Sequence, residues 1–246
     1  RSLTNAEINK HRPPTPSGDD NMSKLIFQTA RTFLLGALAL GAFLFIPAWT
    51  LNYWQAWLFI LVFMTSSTAN SVYLAIRNPQ LLERRKKGGP MGEQSKTQKV
   101  IISAAVVTDA VVWVFCALDH RFGWSALPPF VSLVGDVLVA LGFLIDFFVF
   151  KENSYASSTV QIFEGQKVIS TGPYALVRHP MYVGVLVMGI GAPLALGSWW
   201  GLVVYALTTP ILIWRILDEE QHLKNDLPGY REYTQTVRYR LVPYLW

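Results

Sequence analysis

Long apolar runs alternate with polar connections along most of this chain, and the runs are long enough for membrane-spanning helices. The pattern predicts six spans, over residues 33–51, 54–76, 100–118, 131–150, 182–196 and 199–217. Only Gly197 and Ser198 join the last two spans, so we expect these to form a tight antiparallel helical hairpin. The predicted fold class is therefore all-α, a polytopic membrane protein of about six transmembrane helices.

The polar segments divide the chain into three predicted parts. Residues 1–24 are mostly polar and include three closely spaced prolines, a composition typical of a disordered tail or a leader. Residues 25–150 contain the first four spans and are predicted to form a transmembrane scaffold. Residues 151–246 contain a long polar segment, the hairpin and a charged tail, and we expect the chemistry to lie there.

Composition and charge support a membrane protein. The chain is 52% hydrophobic and only 15% charged, which is too apolar for an ordinary soluble domain. The net charge of +5 could suggest a nucleic-acid partner, but the basic residues lie beside the apolar runs, as membrane topology requires. Lysine and arginine concentrate after the second, fourth and sixth spans, which predicts both termini in the cytoplasm. The expected partner is the lipid bilayer, not nucleic acid, and the oligomeric state is left open.

Cysteine and histidine usage excludes two kinds of site. The single cysteine, Cys116, lies within an apolar run, so no intrachain disulfide is possible. The four histidines lack metal-ligand spacing, and we predict no metal site. Gly189 and Gly191 do not form a dinucleotide fingerprint, because the third glycine and a preceding strand are missing. Together with Gly184 and Gly197 they predict close helix packing instead.

Two polar features have more than one interpretation. The basic connection over residues 77–99 is either a cytoplasmic loop that touches anionic lipid or a dedicated site for a substrate or headgroup. Asp109, Asp136 and Asp146 lie inside predicted spans, where ionisable groups are costly. They indicate either a proton or ion pathway or structural hydrogen bonds to a neighbouring helix.

The most chemically loaded stretch is residues 170–184, where charged side chains meet the start of a span. Arg178 and His179 precede Pro180, which is typical of the first position of a helix. A helix that begins there has free backbone amides and a positive dipole end, which suit a carboxylate. Tyr174 and Tyr182 flank these residues and could pack against a flat ring.

The end of the last span adds further charge at the same membrane face. Arg215 and Glu219 are four residues apart and share a helical face, which by itself is compatible with an interfacial salt bridge. Because the predicted topology brings them and Glu220 to the rim where Arg178 and His179 lie, we expect a binding site for a zwitterionic or multiply charged ligand in a cytoplasmic pocket. Either glutamate could face an amino group.

A longer pattern connects these residues. It runs Gly172-Pro173-Tyr174, Arg178-His179-Pro180-Met181-Tyr182-Val183-Gly184, an apolar hairpin, Arg215, Glu219-Glu220, Gly229-Tyr230-Arg231-Glu232-Tyr233 and Val242-Pro243. Over residues 160–243 it resembles the isoprenylcysteine carboxyl methyltransferase family, integral membrane enzymes that use S-adenosylmethionine and are related to phospholipid N-methyltransferases. Upstream of residue 160 only the general character of the spans matches.

The resemblance implies roles for individual residues and makes residues 151–246 a cofactor-binding and catalytic region. Cofactor contacts are implied for Gln161, Gln166, Lys167, Val168, Ile169, Tyr174, Arg178, His179, Pro180, Met181, Tyr182 and Glu219. Gln166 stands where some family members have histidine. Arg215 would face the methyl-accepting group. The choice of Glu219 over Glu220 rests on the four-residue step from Arg215.

The implied function is transfer of a methyl group from S-adenosylmethionine to a lipophilic or small acceptor. Methyl transfer from a sulfonium depends on alignment more than on proton transfer. A carboxylate acceptor of the isoprenylcysteine type is already ionised at neutral pH, and Arg215 would position it; this is the favoured acceptor. A small thiol would need conversion to a thiolate, favoured by Arg215 or His179. A phospholipid amine would need a base, for which Glu220 is the candidate.

Two functions of other classes remain. A membrane reductase of the sterol type would use NADPH and would need cations for the 2′-phosphate, for which Lys151, Lys167 and Arg178 are candidates. Alternatively, the chain keeps the fold as a non-catalytic scaffold that binds lipid.

Overall fold

A computed structural model describes residues 18–246, with side chains from Phe27 onwards. Its helices are α1 (Gly18–Ala48), α2 (Trp54–Arg77), α3 (Pro79–Lys86), α4 (Lys96–Phe122), α5 (Pro129–Glu152), α6 (Pro180–Ala195), α7 (Trp199–Asp226) and α8 (Tyr230–Thr236), with a 3₁₀ turn over Gly172–Ala175. No strand occurs within residues 18–246, and the all-α prediction is confirmed. The predicted disordered tail over residues 1–24 falls largely outside the described residues, but residues 18–24 belong to α1 and are helical.

Five of the described helices are long and apolar enough to cross a membrane, which confirms a polytopic membrane protein. The sixth predicted span, α6, has 16 residues. It is about 24 Å long at about 1.5 Å per residue, short of a hydrocarbon core of about 30 Å. The last span continues past its predicted end at Leu217 to Asp226. Arg215, Glu219 and Glu220 therefore lie on one continuous helix.

Glycines allow α5 and α6 to approach closely. Gly135 and Gly142 on α5 face Gly191 and Gly184 on α6. A Cβ atom on Gly184 would lie 2.9 Å from the carbonyl oxygen of Gly142, and one on Gly191 would lie 2.8 Å from that of Gly135. Any larger residue would push the two helices apart, so the packing predicted for Gly184 and Gly191 is confirmed.

The carboxylates inside the spans differ in their surroundings. Asp136 and Asp146 on α5 are buried, but both Asp136 carboxylate oxygens and Asp146 Oδ1 have no hydrogen-bond partner among the described residues. Structural hydrogen bonds to neighbouring helices, one of the two interpretations given above, are therefore not observed for these atoms. Asp109 lies exposed on α4 instead.

Three polar segments fold together at one end of the helix bundle, which we call the charged end. The α3–α4 connection reaches α7, where Glu93 Oε1 lies 2.6 Å from Arg215 Nη2. Arg85 Nη1 donates to the carbonyl oxygen of Ala156 at 3.0 Å, which fixes the segment after α5. The backbone N–H of Arg178 donates to the carbonyl oxygen of Tyr239 at 2.9 Å. The motif and the C-terminal tail thus meet at one end; that this end is cytoplasmic stays a prediction.

Candidate active site

The main cavity has a volume of about 440 Å³ and lies at the charged end, between the segment after α5, the start of α6, the end of α7 and α8. Every residue for which the resemblance implies a cofactor contact lines it: Gln161, Gln166, Lys167, Val168, Ile169, Tyr174, Arg178, His179, Pro180, Met181, Tyr182 and Glu219. The fold thus brings the whole set together around one space. That these residues bind a cofactor stays a prediction at this point.

A second cavity, of about 270 Å³, lies between α4, α6 and α7, and we call it the apolar cavity. Ile101, Ala105, Val185, Ile211 and Leu212 form much of its wall. Arg215 lies at its charged end, whereas Asp109 and Tyr205 line it farther along the helices. The ten-residue step from Tyr205 to Arg215 on α7 corresponds to about 15 Å, enough room for an extended hydrocarbon chain.

The two cavities share a wall. Met181, Tyr182 and Glu219 line both, together with Ser157, Thr159 and Val160 from the segment after α5. The Tyr182 hydroxyl donates to Glu219 Oε2 at 2.6 Å and accepts from Arg215 Nε at 3.2 Å. A polar space and an apolar space therefore meet at a tyrosine, an arginine and a carboxylate.

Arg215 is fully engaged by the protein. Its guanidinium lies 2.6 Å from Glu93 Oε1, donates to the carbonyl oxygen of Ser158 at 3.3 Å, and also donates to Gln98 Oε1. Only 8% of the Arg215 side chain and none of the Glu93 side chain is exposed. Because a buried ion pair has little competition from water, Glu93 already neutralises the charge that was predicted to face an acceptor.

Glu219 and Glu220 have opposite environments. Glu219 lines both cavities, whereas Glu220 lines neither. Glu220 Oε1 lies 3.2 Å from Arg178 Nη1 and 3.3 Å from His179 Nε2. Its Oε2 lies 3.1 Å from Arg240 Nη2 and 3.4 Å from Lys224 Nζ. With 2% exposure and cations on both oxygens, Glu220 is placed to hold charged segments together, and it does not reach a ligand in either cavity.

The C-terminal tail after α8 forms hydrogen bonds to Arg178 and His179. The N–H groups of Arg178 and His179 precede α6 and have no partner within that helix. They donate to the carbonyl oxygens of Tyr239 and Arg240 at 2.9 and 3.0 Å. Arg178 Nη2 donates to the carbonyl oxygen of Arg238 at 3.2 Å. Residues 238–240 therefore fix the position of the Arg-His pair.

Two buried polar atoms of the main-cavity residues have no hydrogen-bond partner among the described residues. They are the Tyr230 hydroxyl and Arg178 Nε. Tyr230 is 4% exposed, and burial raises the pKa of its hydroxyl, so the group stays protonated. Since buried polar groups are nearly always hydrogen-bonded, these two atoms are suited to partners on a ligand.

Other residues of the site were not predicted from the sequence. Gln94 and Ser95, next to Glu93, line the main cavity. The only signal for them was an acidic residue within the basic α3–α4 connection. Tyr233 holds Tyr174 in place, because its hydroxyl donates to the Tyr174 carbonyl oxygen at 2.7 Å. Tyr230 and Tyr233 belong to the motif but were given no role.

Comparison with known proteins finds a family match over part of the region that holds this site. Residues 130–227 match the sequence model of a family described as phospholipid methyltransferase. Isoprenylcysteine carboxyl methyltransferases and related membrane methyltransferases share this family, so the resemblance is confirmed for this segment.

A segment of the chain is also similar to a reductase. It is 31% identical over 91 residues to the Delta(14)-sterol reductase TM7SF2 of Mus musculus. The match covers 36% of this chain and 22% of the reductase, so the chain spans about a fifth of the length of this curated relative.

Proposed function

We propose that the chain is an integral membrane methyltransferase that holds S-adenosylmethionine in the main cavity and methylates a lipophilic acceptor in the apolar cavity. The observation that carries the proposal is the shared wall of Met181, Tyr182 and Glu219 between a polar and an apolar space. A charged cofactor and a lipophilic acceptor need a polar and an apolar space side by side, because methyl transfer requires the two reacting atoms to come into contact. The family match over residues 130–227 supports the same reaction class.

The residues of the main cavity fit S-adenosylmethionine. Tyr174 and Tyr182 offer aromatic surfaces, and the unpartnered Tyr230 hydroxyl and Arg178 Nε are suited to its polar groups. Glu219 offers a carboxylate to its positive charge. When bound, S-adenosylmethionine supplies an electrophilic methyl group on a positively charged sulfur.

The charges at the shared wall favour an amine as the acceptor. Arg215 carries one positive charge there, while Glu93 and Glu219 carry two negative charges. A carboxylate acceptor would add a third negative charge and would have to displace Glu93 from Arg215. A lipophilic amine needs no such rearrangement, so we place it ahead of the isoprenylcysteine-type carboxylate that the resemblance suggested.

An amine acceptor also needs a group that takes its proton, and Glu219 is suited to that role. It lines the apolar cavity, and the Tyr182 hydroxyl fixes the orientation of its carboxylate at 2.6 Å. Glu220, the base expected from the sequence, is held by Arg178, His179, Arg240 and Lys224 and lines neither cavity. Proton transfer by a positioned carboxylate contributes on the order of 10²–10⁴-fold to a rate.

Calorimetry of the purified protein in detergent tests the cofactor. We expect saturable binding of S-adenosylhomocysteine that is lost in Glu219→Ala and His179→Ala. Glu83→Ala, an exposed site on α3 paired only with Lys86, is the matched control and should bind normally. Radiolabelled methyl transfer into phosphatidylethanolamine, a prenylcysteine and a small thiol then identifies the acceptor. Methylation of the prenylcysteine alone would contradict the amine assignment but not the methyltransferase assignment.

The similarity to a sterol reductase favours a second candidate, an NADPH-dependent membrane reductase. Of the three cations that would serve the 2′-phosphate, Lys151 does not line the main cavity and Arg178 is paired with Glu220. Among the described lining residues, this leaves Lys167 as the one lysine or arginine without an ion pair, which weighs against NADPH. NADPH binding without S-adenosylhomocysteine binding would favour the reductase, and binding of neither would favour a scaffold.

A further inference from the structure

A basic groove lies at the charged end, on the far side of Glu220 from the main cavity. It has a volume of about 370 Å³ and is open to the surroundings between α7, α8 and the C-terminal tail. Lys224, Arg231 and Arg240 line it, and Leu217 lies at its edge. We propose that this groove binds the phosphate-bearing headgroup of an anionic phospholipid.

The charge of the groove supports this assignment. Three cationic side chains line it against one carboxylate, that of Glu220. Arg178 also neutralises the negative charge of Glu220 from the side away from the groove, because its Nη1 lies 3.2 Å from Glu220 Oε1. Arg231 is exposed, and the Lys224 and Arg240 side chains are 37% and 25% exposed. Each can therefore contact an anion in the groove without a change in the fold. A phosphodiester accepts hydrogen bonds from both ammonium and guanidinium groups.

The surroundings point to a lipid rather than to a soluble phosphate. Leu217 is 45% exposed and is the last apolar residue of α7 before the charged run. In the tail, Tyr244 and Leu245 are 91% and 80% exposed, and the Arg240 guanidinium lies 5.1 Å from the centre of the Trp246 ring. Exposed apolar and aromatic side chains beside cations are typical of the membrane interface. A headgroup in the groove would leave its acyl chains beside Leu217.

A lipid in this groove would hold the tail against α7. Arg231 belongs to α8 and its Nε donates to the Lys224 carbonyl oxygen at 2.8 Å, while Arg240 belongs to the tail. One phosphate that contacts Lys224 on α7 together with these two arginines would bridge α7, α8 and the tail. Because the carbonyl groups of Tyr239 and Arg240 fix the backbone of Arg178 and His179, the bridge should stabilise the whole charged end.

The test measures lipid binding and thermal stability of the purified full chain in neutral detergent, without any cofactor. Phosphatidylglycerol is compared with phosphatidylcholine, with glycerol 3-phosphate and with inorganic phosphate. We expect phosphatidylglycerol to be retained in native mass spectrometry and to raise the Tm by roughly 5 °C at saturation. In Lys224→Gln/Arg231→Gln, which removes about 1 kcal/mol of attraction per charge, the affinity should fall on the order of 30-fold.

The matched control is Lys96→Gln/Lys99→Gln, which removes two exposed charges at the start of α4, at the same end of the bundle. It should keep the response to phosphatidylglycerol. An equal response to phosphatidylcholine, an equal response to either soluble phosphate, or an equal loss in the control variant would each overturn the proposal. No methyl transfer or cofactor binding enters the measurement, so failure here is distinct from failure of the proposed function.

Discussion

Two tyrosines of α8 allow the main cavity to be tested with one chemical change. Tyr230 and Tyr233 both line the cavity and are both buried. The Tyr233 hydroxyl donates to the Tyr174 carbonyl oxygen at 2.7 Å, whereas the Tyr230 hydroxyl has no partner among the described residues. Replacing each by phenylalanine removes a single oxygen. The two variants should therefore separate ligand binding from folding.

The expected magnitudes follow from these contacts. A neutral hydrogen bond contributes about 0.5–1.5 kcal/mol net, so Tyr230→Phe should raise the Kd for S-adenosylhomocysteine roughly 2- to 13-fold. It should leave the unliganded protein as stable as the wild type, because no protein contact of the hydroxyl is lost. Tyr233→Phe leaves the half-buried carbonyl group of Tyr174 without this partner, which costs about 1–3 kcal/mol. At about 2–4 °C per kcal/mol, the Tm should fall by roughly 2–12 °C.

The assay pairs calorimetric titration with thermal unfolding of the same preparations in detergent. Tyr230→Phe should change the Kd without changing the Tm, and Tyr233→Phe should mainly lower the Tm. If Tyr230→Phe lowers the Tm as much as Tyr233→Phe does, its hydroxyl has a partner within the protein. If Tyr230→Phe leaves both quantities unchanged, the hydroxyl does not bind the ligand, and the reasoning from its missing partner is refuted.

Three further variants test the site and the fold. Glu93→Gln should free the buried arginine at the shared wall and raise methylation of a carboxylate acceptor relative to an amine; an unchanged ratio of the two radiolabelled products would contradict the charge argument. Glu220→Gln should cost about 3–5 kcal/mol and lower the Tm sharply, because buried cations lose their counter-charge, whereas Glu83→Gln at an exposed pair should leave the Tm unchanged. Gly184→Ala should cost about 1–3 kcal/mol through overpacking against α5, while Gly41→Ala on α1 meets only ordinary contacts; equal melting temperatures would show that α5 and α6 tolerate separation.

Much of the site was predictable because its signals are local. Arg178 to Tyr182 form one contiguous motif, and Arg215 and Glu219 are one helical turn apart, so their common location follows from chain order and helix periodicity. Five of the six spans were equally predictable, because apolar runs of this length have few alternatives to a transmembrane helix, whereas α6 is shorter than such a span. The end of α7 was not predictable in this way, because the charged residues after Leu217 continue the helix instead of ending it.

The contacts that the sequence did not reveal are long-range. Glu93 lies far from Arg215 along the chain, in a connection whose basic residues suggested only topology. No periodicity relates it to α7, so the ion pair on which the proposed choice of acceptor rests was not predictable from one sequence. The same holds for residues 238–240, whose carbonyl groups hold the Arg-His pair and whose side chains gave no signal.

Near the end of α7, the adjacent residues Glu219 and Glu220 face different sides of the helix and have different surroundings. Successive helical residues are turned by about 100°, so Glu219 and Glu220 cannot face the same space. Glu219 shares a face with Arg215 and lies at the wall between the two cavities, while Glu220 faces Arg178 and the tail. If the register of α7 changed by one residue, the main cavity would lose its carboxylate, and Arg178 and Arg240 would lose their counter-charge at the same time. The unbroken continuation of α7 beyond Leu217 is therefore a requirement for the main cavity as well as for the lipid groove that we propose.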